Sequence, residues 1–328
     1  MIRLSLARTA PALAALAAIV TAFATPAHAQ QSYPNAPVKW VVPFAPGGVA
    51  DATSRIVGEK LGEKLGQRVI IENIPGAGGI NAARAVLNAP ADGHTLALLT
   101  NGTSISVALF NKLPFDPVTQ FDPVSAVGFF EFIFYTGANT PYKTLADVVK
   151  AARAKPGEIT VGTIFAGSTQ HLTMELFKSL SGTDVRHVPF KGTPDLLLSG
   201  IRGDVAMMVE ALAPVKSNLE DSKVRALAVS SATPSLALPG VPPAGEAVKG
   251  FDVVSWNAIF VKAGTPAPIV AQLNKALNEV LAMDDVKKRL LQLGIESRGS
   301  TPAEIKKRMV DDIAKWGDVI AKAGIAKR

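Results

Sequence analysis

The chain has 328 residues, 48% of them hydrophobic, which is enough to bury large cores and favours two domains over one. It contains no cysteine, so disulfides, thiolate metal sites and cysteine nucleophiles are excluded. The formal net charge is +7, and the only basic clusters, Lys287–Arg289 and Lys306–Arg308, lie in helical patterns. Such clusters are typical of solvated helix faces, so we expect no nucleic-acid partner.

The first residues have the pattern of a secretory signal peptide. Arg3 and Arg8 form a positive segment, a short apolar stretch follows, and Ala27–Ala29 is a small-x-small cleavage site. We therefore expect residues 1–29 to be removed after Ala29 and the mature chain to be periplasmic. The alternative is a retained membrane anchor. No later stretch approaches about 20 uninterrupted apolar residues, so no membrane span is expected in the mature chain.

From Val38 onward, short apolar runs alternate with amphipathic stretches, which predicts a mostly parallel sheet covered by helices on both faces. The first strands and helices are predicted, in alternation, at KWVVPF, ADATSRIVGEKLGEKLG, RVIIEN, GINAARAVLNA and HTLALLT. The same order begins again with EITVGTI, STQHLTMELFKSLSG, DVRHVPF and PDLLLSGIRG, followed by the strands DVAMMVE and VRALAVSS. A proline-rich tract then interrupts regular structure before the extended stretch FDVVSWNAIFV.

Three helices are predicted at the C-terminus. The first and last begin with Thr-Pro, which predicts Thr265 and Thr301 as N-caps. The chain thus divides into two α/β halves, and sequence order alone does not show which half these helices cover. Alternation along a strand also predicts core positions for four phenylalanines: Phe129, Phe130, Phe132 and Phe134.

Four predicted strand-to-helix junctions combine glycine with hydroxyl, basic or acidic residues. They are VVPFAPGGVAD, LLTNGTSIS, TIFAGSTQH and VPFKGTPD. Ligands bind outside the carboxyl ends of strands in open α/β sheets, and a helix start offers unpaired N–H groups to an anion. At any single junction, ordinary capping is the favoured explanation of these residues. Their recurrence in both halves favours a carboxylate site between the halves, with Asp51 either holding its turn or orienting water.

At these junctions the sequence resembles a known family, the periplasmic substrate-binding proteins of tripartite tricarboxylate transporters, or Bug receptors. The resemblance covers essentially the whole mature chain. The blocks that carry it, in order, are YPNAPVKWVVPFAPGGVADATSR, LGQRVIIENIPGAGGINAA, DGHTLALLTNGTS, LPFDPVTQFDPV, AKPGEI, AGSTQHL, HVPFKG, RALAVSS, LPGVPPAGEA and FDVVSWNAIFVKAGTP.

The resemblance implies two doubly wound α/β domains of periplasmic-binding-protein type, joined by two crossing strands with the ligand cleft between them. Domain I is expected at residues 30–130 and 255–328, and domain II at 131–254, so the C-terminal helices return to the first half. We expect a monomer without metal or cofactor. It would bind a small carboxylate, whether a di- or tricarboxylate, an amino acid or an aromatic carboxylate, and deliver it to a membrane permease.

The expected ligand-binding residues follow from matching the family motifs onto this chain. In the first half they are Phe44, Ala45, Pro46, Gly47, Gly48 and Asp51, with Thr100, Asn101, Thr103 and Ser104. In the second half they are Phe165, Ala166, Gly167, Ser168, Thr169 and His171, with Lys191, Gly192, Thr193 and Asp195. Phe165 and Asp195 depart from the family pattern, and Phe165 either lines the pocket or packs outward against a helix.

Two enzyme classes, dinucleotide-dependent enzymes and hydrolases, are the alternatives to a receptor function. The stretch GAGGINA lacks the last glycine of a dinucleotide motif, where Asn81 stands, and the histidines show no metal-binding spacing. Ser168 and His171 raise the alternative of an exported α/β hydrolase, although no G-x-S-x-G elbow is present. His171 is instead expected to brace its loop by a hydrogen bond. A ligand-sensing partner of a sensor protein is a further alternative.

Overall fold

The computed structural model describes residues 33–327, so the predicted signal peptide and its cleavage site lie outside the described residues. The strands in this range are β1 (Val38–Val42), β2 (Val69–Asn73), β3 (Thr95–Thr100), β4 (Phe121–Gly137), β5 (Thr160–Ile164), β6 (Arg186–Phe190), β7 (Met207–Ala211), β8 (Val224–Val229) and β9 (Val254–Lys262). The helices are α1 (Val49–Leu65), α2 (Ile80–Leu87), α3 (Asn101–Leu109), α4 (Leu145–Ala154), α5 (Thr169–Ser181), α6 (Thr193–Arg202), α7 (Lys216–Glu220), α8 (Ala267–Leu281), α9 (Asp284–Leu291) and α10 (Pro302–Lys322).

The strands form one continuous sheet in the order β2-β1-β3-β9-β4-β7-β5-β6, with β8 also paired to β4. Strands β1, β2 and β3 are mutually parallel in the first half, as are β5, β6 and β7 in the second. The two parallel groups are joined through β4 and β9, which run antiparallel to their neighbours. This is the expected fold class, two α/β halves of periplasmic-binding-protein type.

Strand β4 belongs to both halves. Its residues from Phe121 to Glu131 pair with β9, whereas those from Phe132 onward pair with β7 and β8. The chain returns close to this crossing. The Ser230 N–H donates to the carbonyl of Phe132 in β4 over 2.8 Å, and the Val253 N–H donates to the Ser230 carbonyl over 2.7 Å just before β9 begins. The chain therefore passes between the halves along two neighbouring segments.

The C-terminal helices return to the first half. Leu273 and Leu277 of α8 share a core with Trp40 and Leu61 of the first half. The last turns of α10 reach further, since Trp316 lies in a hydrophobic cluster that joins Ile105 and Leu109 of α3 to the core of the second half. Three of the four phenylalanines expected in the core are buried, namely Phe129, Phe132 and Phe134, and Phe130 packs partly buried beside them.

The two predicted Thr-Pro caps have different outcomes. Thr301 caps α10 as predicted, with its side chain accepting from the Glu304 N–H. The prediction for Thr265 is wrong, because α8 begins at Ala267 after Pro266 without a side-chain cap. The Thr265 hydroxyl instead donates to the Lys262 carbonyl over 2.7 Å, which closes the turn that leaves β9.

Among the described helices, none combines the length and the apolar character that a membrane-spanning helix requires.

Candidate ligand-binding site

The register of β4 and β9 sets the carboxyl ends of the two parallel groups face to face. Thr100, which ends β3, pairs with Asn257, and Asn257 pairs with Gly128 of β4. Ala211, which ends β7, pairs with Phe132 of β4. Strand β3 runs parallel to β4, and β7 runs antiparallel to β4. The carboxyl ends of β3 and β7 therefore point toward each other. The four residue steps from Gly128 to Phe132 correspond to roughly 13 Å along the strand. The four predicted junctions thus lie on facing edges.

The first loop, from Pro43 to Gly48, is held from behind by Asp51. The Gly47 N–H donates to Asp51 Oδ2 over 2.9 Å, and Asn73 Nδ2 donates to Asp51 Oδ1 over 3.0 Å. Arg55 Nε donates to the same carboxylate over 3.0 Å. Burial alone would raise the Asp51 pKa, but the hydrogen bonds from Arg55, Gly47 and Asn73 outweigh it and lower the pKa. Of its two expected roles, Asp51 therefore has the one that holds the turn.

Arg55 and Asn73 were missed by the sequence reading, although both carried a signal. Arg55 follows Asp51 by four residues on α1, the spacing of an intrahelical ion pair. Asn73 ends β2 at the same sheet edge as the loop.

The start of α1 has no side-chain cap. The helix follows Gly48, and no cap bond is made there. Gly47 has φ +93°, which favours glycine, and a Cβ at either Gly47 or Gly48 would meet no atom within 4 Å. The N–H groups of the first turn have no intrahelical partner by geometry. This exposed helix start is open to a ligand oxygen.

The second junction, Thr100 to Ser104, caps itself. Thr100 Oγ1 accepts from the Gly102 N–H and Thr103 Oγ1 accepts from the Thr100 N–H, both over 3.1 Å. Asn101 Oδ1 accepts from Trp316 Nε1 over 2.8 Å, and Ser104 Oγ donates to the Met309 carbonyl. The side chains of Thr100, Thr103 and Ser104 are therefore engaged within the protein, whereas the buried Asn101 Nδ2 has no hydrogen-bond partner among the described residues.

The third junction, Phe165 to His171, is also capped from within. Buried Ser168 accepts from the His171 N–H over 3.1 Å as the N-cap of α5. The Gly167 N–H donates to His171 Nδ1 over 3.0 Å, so His171 braces the loop as expected. Ala166 and Thr169 are half-buried, and Phe165 is 55% exposed.

The His171 ring packs on a second imidazole. Its centroid lies 4.1 Å from that of His187, with the rings nearly parallel. Burial, followed by the neighbouring His171, lowers the pKa of His187 to about 4. His171 Nε2 lies 3.4 Å from Glu175 Oε1, so Nδ1 accepts from Gly167 while Nε2 faces an acceptor.

This geometry leaves Ser168 without a general base. Its Oγ accepts a hydrogen bond from the His171 N–H. The His171 ring nitrogens face the Gly167 N–H and the Glu175 carboxylate instead of Ser168. A serine nucleophile needs a base within hydrogen-bond reach. The geometry therefore does not support the hydrolase alternative built on Ser168 and His171.

The fourth junction, Lys191 to Thr193, resembles the first. Helix α6 follows Gly192 without a side-chain cap, and Lys191 and Asp195 are exposed on either side.

Each of the two facing edges presents an accessible phenylalanine. Phe44 in the first loop is 43% exposed, and Phe165 lies on the opposite edge. Ala45, Pro46, Gly47 and Gly48 are exposed beside Phe44.

Glu210, missed by the sequence reading, stands at the same edge at the end of β7. It is 3% exposed and accepts from Gln170 Nε2 over 2.7 Å and from Thr193 Oγ1 over 2.6 Å. Burial raises its pKa. An acidic residue near the end of a buried strand at the ligand edge was the available signal.

Within the described residues, no group of three or more His, Asp or Glu side chains is arranged to hold a metal.

Comparison with known proteins decides the family. Residues 53–325 match the model of the tripartite tricarboxylate transporter family receptor. The chain belongs to this family. Its members are substrate-binding receptors rather than enzymes.

Solved structures agree with this assignment. The chain is similar to Rpa4515 of R. palustris, solved with adipate, at 33% identity and TM-score 0.81, covering 90% of this chain and all of that one. It is similar to MatC of Rhodopseudomonas palustris, solved with bound malate, at 33% identity and TM-score 0.75, covering 88% and 100%. The periplasmic binding protein BugD is similar at 28% identity and TM-score 0.77, covering 90% and 100%.

Proposed function

We propose that this receptor captures a small carboxylate between its two halves in the periplasm and delivers it to the membrane permease of a tripartite tricarboxylate-type transporter. The observation that carries the proposal is the contrast among the four facing helix starts. Two are capped by their own side chains, at Thr100 and Ser168, and two begin at uncapped glycines, Gly48 and Gly192.

The uncapped starts are suited to the acid group. A helix start carries unpaired N–H groups and about half a positive charge, which favour an anion close to the backbone. One such start lies in each half, so a single carboxylate-bearing ligand gains its full set of donors only when both halves approach it. Ligand binding then favours the closed arrangement.

The self-capped starts have a supporting role in this proposal. Thr100, Asn101, Thr103, Ser104, Ser168 and His171 keep their loops in shape, and their backbone and water-mediated contacts complete the site. Phe44 and Phe165 flank the ligand body. Because Rpa4515 was solved with adipate and MatC with malate, we take dicarboxylates as the first ligands to test.

The proposal includes the domain division and the cellular context. Domain I comprises residues 30–130 and 255–328, and domain II comprises 131–254. The change of β4 partners after Glu131 and the start of β9 at Val254 support these boundaries. A signal peptide ending at Ala29 and a monomeric receptor remain parts of the proposal. The sensor-partner hypothesis also stays a prediction.

Calorimetric titration with a carboxylate panel containing adipate, malate, citrate, glutamate and benzoate tests this function. At least one member should bind saturably without turnover. Gly48→Ala and Gly192→Ala should each weaken that binding at least tenfold, because a methyl group obstructs backbone approach at positions where it clashes with nothing in the protein. Gly317→Ala on α10 is the matched control, since its Cβ would meet its nearest atom at an ordinary 3.9 Å. Absence of binding across the panel, or equal affinity in all variants, would contradict the proposal.

A further inference from the structure

Glu210 links the two helix starts of the second half. Its Oε1 accepts from the Ala211 N–H over 2.8 Å and from Gln170 Nε2 over 2.7 Å, while Oε2 accepts from Thr193 Oγ1 over 2.6 Å. Gln170 lies in the first turn of α5 and Thr193 is the first residue of α6. One buried carboxyl thus joins a capped helix start to an uncapped one.

The bond to Thr193 fixes the direction of its hydroxyl group. A threonine hydroxyl has a single hydrogen. While Glu210 is ionised, that hydrogen is donated to Oε2, and Thr193 can offer a ligand only lone pairs. A carboxylate ligand at Gly192 would then face an acceptor at Thr193 and a buried negative charge behind it. Both features oppose binding of an anion.

A proton on Glu210 removes both obstacles. Oε1 already has two donors, so the proton belongs on Oε2, where it would be donated to Thr193 Oγ1. The Thr193 hydrogen is then released to point at the ligand. We propose that Glu210 is a positioning residue that sets the direction of the Thr193 hydroxyl, so that the receptor binds its acid ligand together with one proton. This inference rests on the proposed function, because it places the ligand beside Thr193.

The surroundings of Glu210 favour such a proton. Its neighbours from α5 and α6, Gln170 and Thr193, carry no charge. From β4 the buried Tyr135 hydroxyl, which has no hydrogen-bond partner among the described residues, stands close enough for the Glu210 charge to act on it. Burial, with Glu210 as the second cause, holds the pKa of Tyr135 well above its usual range, so it stays neutral. Burial likewise raises the pKa of Glu210 itself.

The test is calorimetric titration of adipate, or of the tightest-binding panel member, in two buffers with different ionisation enthalpies. The measurements are made between about pH 7.5 and 9, where an ordinary carboxylic acid is fully ionised. The wild-type receptor should take up close to one proton per ligand bound, and its affinity should fall by up to about tenfold per pH unit as the pH rises.

The Glu210→Gln variant distinguishes an effect of the Glu210 proton from an effect of side-chain packing. Its amide can accept from Ala211 and Gln170 and donate to Thr193, as protonated Glu210 would. The variant should bind without proton uptake, and at pH 9 at least as tightly as the wild type. Thr193→Val should bind at least tenfold more weakly and without proton uptake. Glu158→Gln, an exposed change at the amino end of β5, should keep the wild-type proton uptake.

The outcomes distinguish this inference from the proposed function. Saturable binding by the wild type without proton uptake, or equal uptake in Glu210→Gln and the wild type, overturns the role of Glu210 and leaves the receptor function standing. If no carboxylate in the panel binds the wild type, the proposed function fails and this inference fails with it. Thermal melting of each variant establishes that the titrated protein is folded.

Discussion

The Gly47 N–H donates to Asp51 Oδ2 over 2.9 Å, and this one bond ties an exposed glycine turn to a buried carboxylate. Asp51 therefore does not compete with a ligand anion at the surface of the loop. Its charge is balanced from behind by Arg55, 2.9 Å away. The loop can present its remaining N–H groups outward because an internal acceptor holds it in place.

Replacing Asp51 should release this loop. We expect Asp51→Ala to lower the free energy of unfolding by about 2 kcal/mol, the scale of a hydrogen bond to a charged group. Affinity for the bound carboxylate should also fall, because the Gly47 turn loses its support. Urea unfolding and calorimetric titration measure the two effects. Glu63→Gln on the same helix is the control, since Glu63 is exposed and pairs with Lys60 on the helix surface. Wild-type stability in Asp51→Ala would refute the supporting role.

The lowered pKa of Asp51 also predicts a pH dependence. A carboxyl whose pKa falls on folding stabilises the protein above the unfolded value, near 3.9, and the gain is lost as pH falls through the folded value. The stability advantage of the wild type over Asp51→Asn should therefore be constant near neutral pH and shrink in acid. Urea titrations at pH 7, 4 and 3 measure it, and an advantage that grows on acidification would show the opposite sign.

Ser168 gives a prediction in which stability and binding separate. As the N-cap of α5, it accepts from the His171 N–H, so Ser168→Ala should cost about 1 kcal/mol of stability. Ser168→Gly should cost only a few tenths of that amount. Thermal melting of both variants tests the cap. A large loss of affinity with unchanged stability would mean that the hydroxyl contacts the ligand directly instead.

Two buried tryptophans offer a matched comparison. Trp316 Nε1 donates to Asn101 Oδ1 over 2.8 Å, whereas Trp40 Nε1 has no partner in the described part of the chain. Trp316→Phe should therefore destabilise the protein by about 1–3 kcal/mol more than Trp40→Phe, because it leaves the buried Asn101 Oδ1 without its donor. Chemical denaturation of both variants gives the difference. Equal losses would indicate that only ring volume matters at Trp316.

Much of the fold could be predicted because its signals are local. Apolar runs and helical periodicity predict β1, α1 and β3, and capping chemistry predicts Thr301 correctly. Thr265 shows the limit of such reasoning, since the same Thr-Pro pair there closes a turn after β9. The choice depends on which carbonyl lies within reach, and that is a tertiary fact.

The candidate site shows the same division between local and tertiary information. Glycine junctions mark where the chain bends at strand ends, so Gly48 and Gly192 were identifiable from sequence. Other partners of the residues at these helix starts come from distant segments. Trp316 reaches Asn101 across 215 positions, and Glu210 reaches Gln170 across 40. Local patterns contain no information about such contacts, whereas the difference between the Thr100 and Ser168 caps and the uncapped Gly48 and Gly192 follows from the residue type at each helix start.

A crystal structure of the receptor with the tightest-binding carboxylate tests the central claim most directly. The account predicts acid oxygens within about 3.2 Å of backbone nitrogens in the first turns of both α1 and α6, with Gly48 and Gly192 facing the ligand. A ligand held only by the Thr100 and Ser168 junctions, or bound outside the space between the two halves, would contradict it.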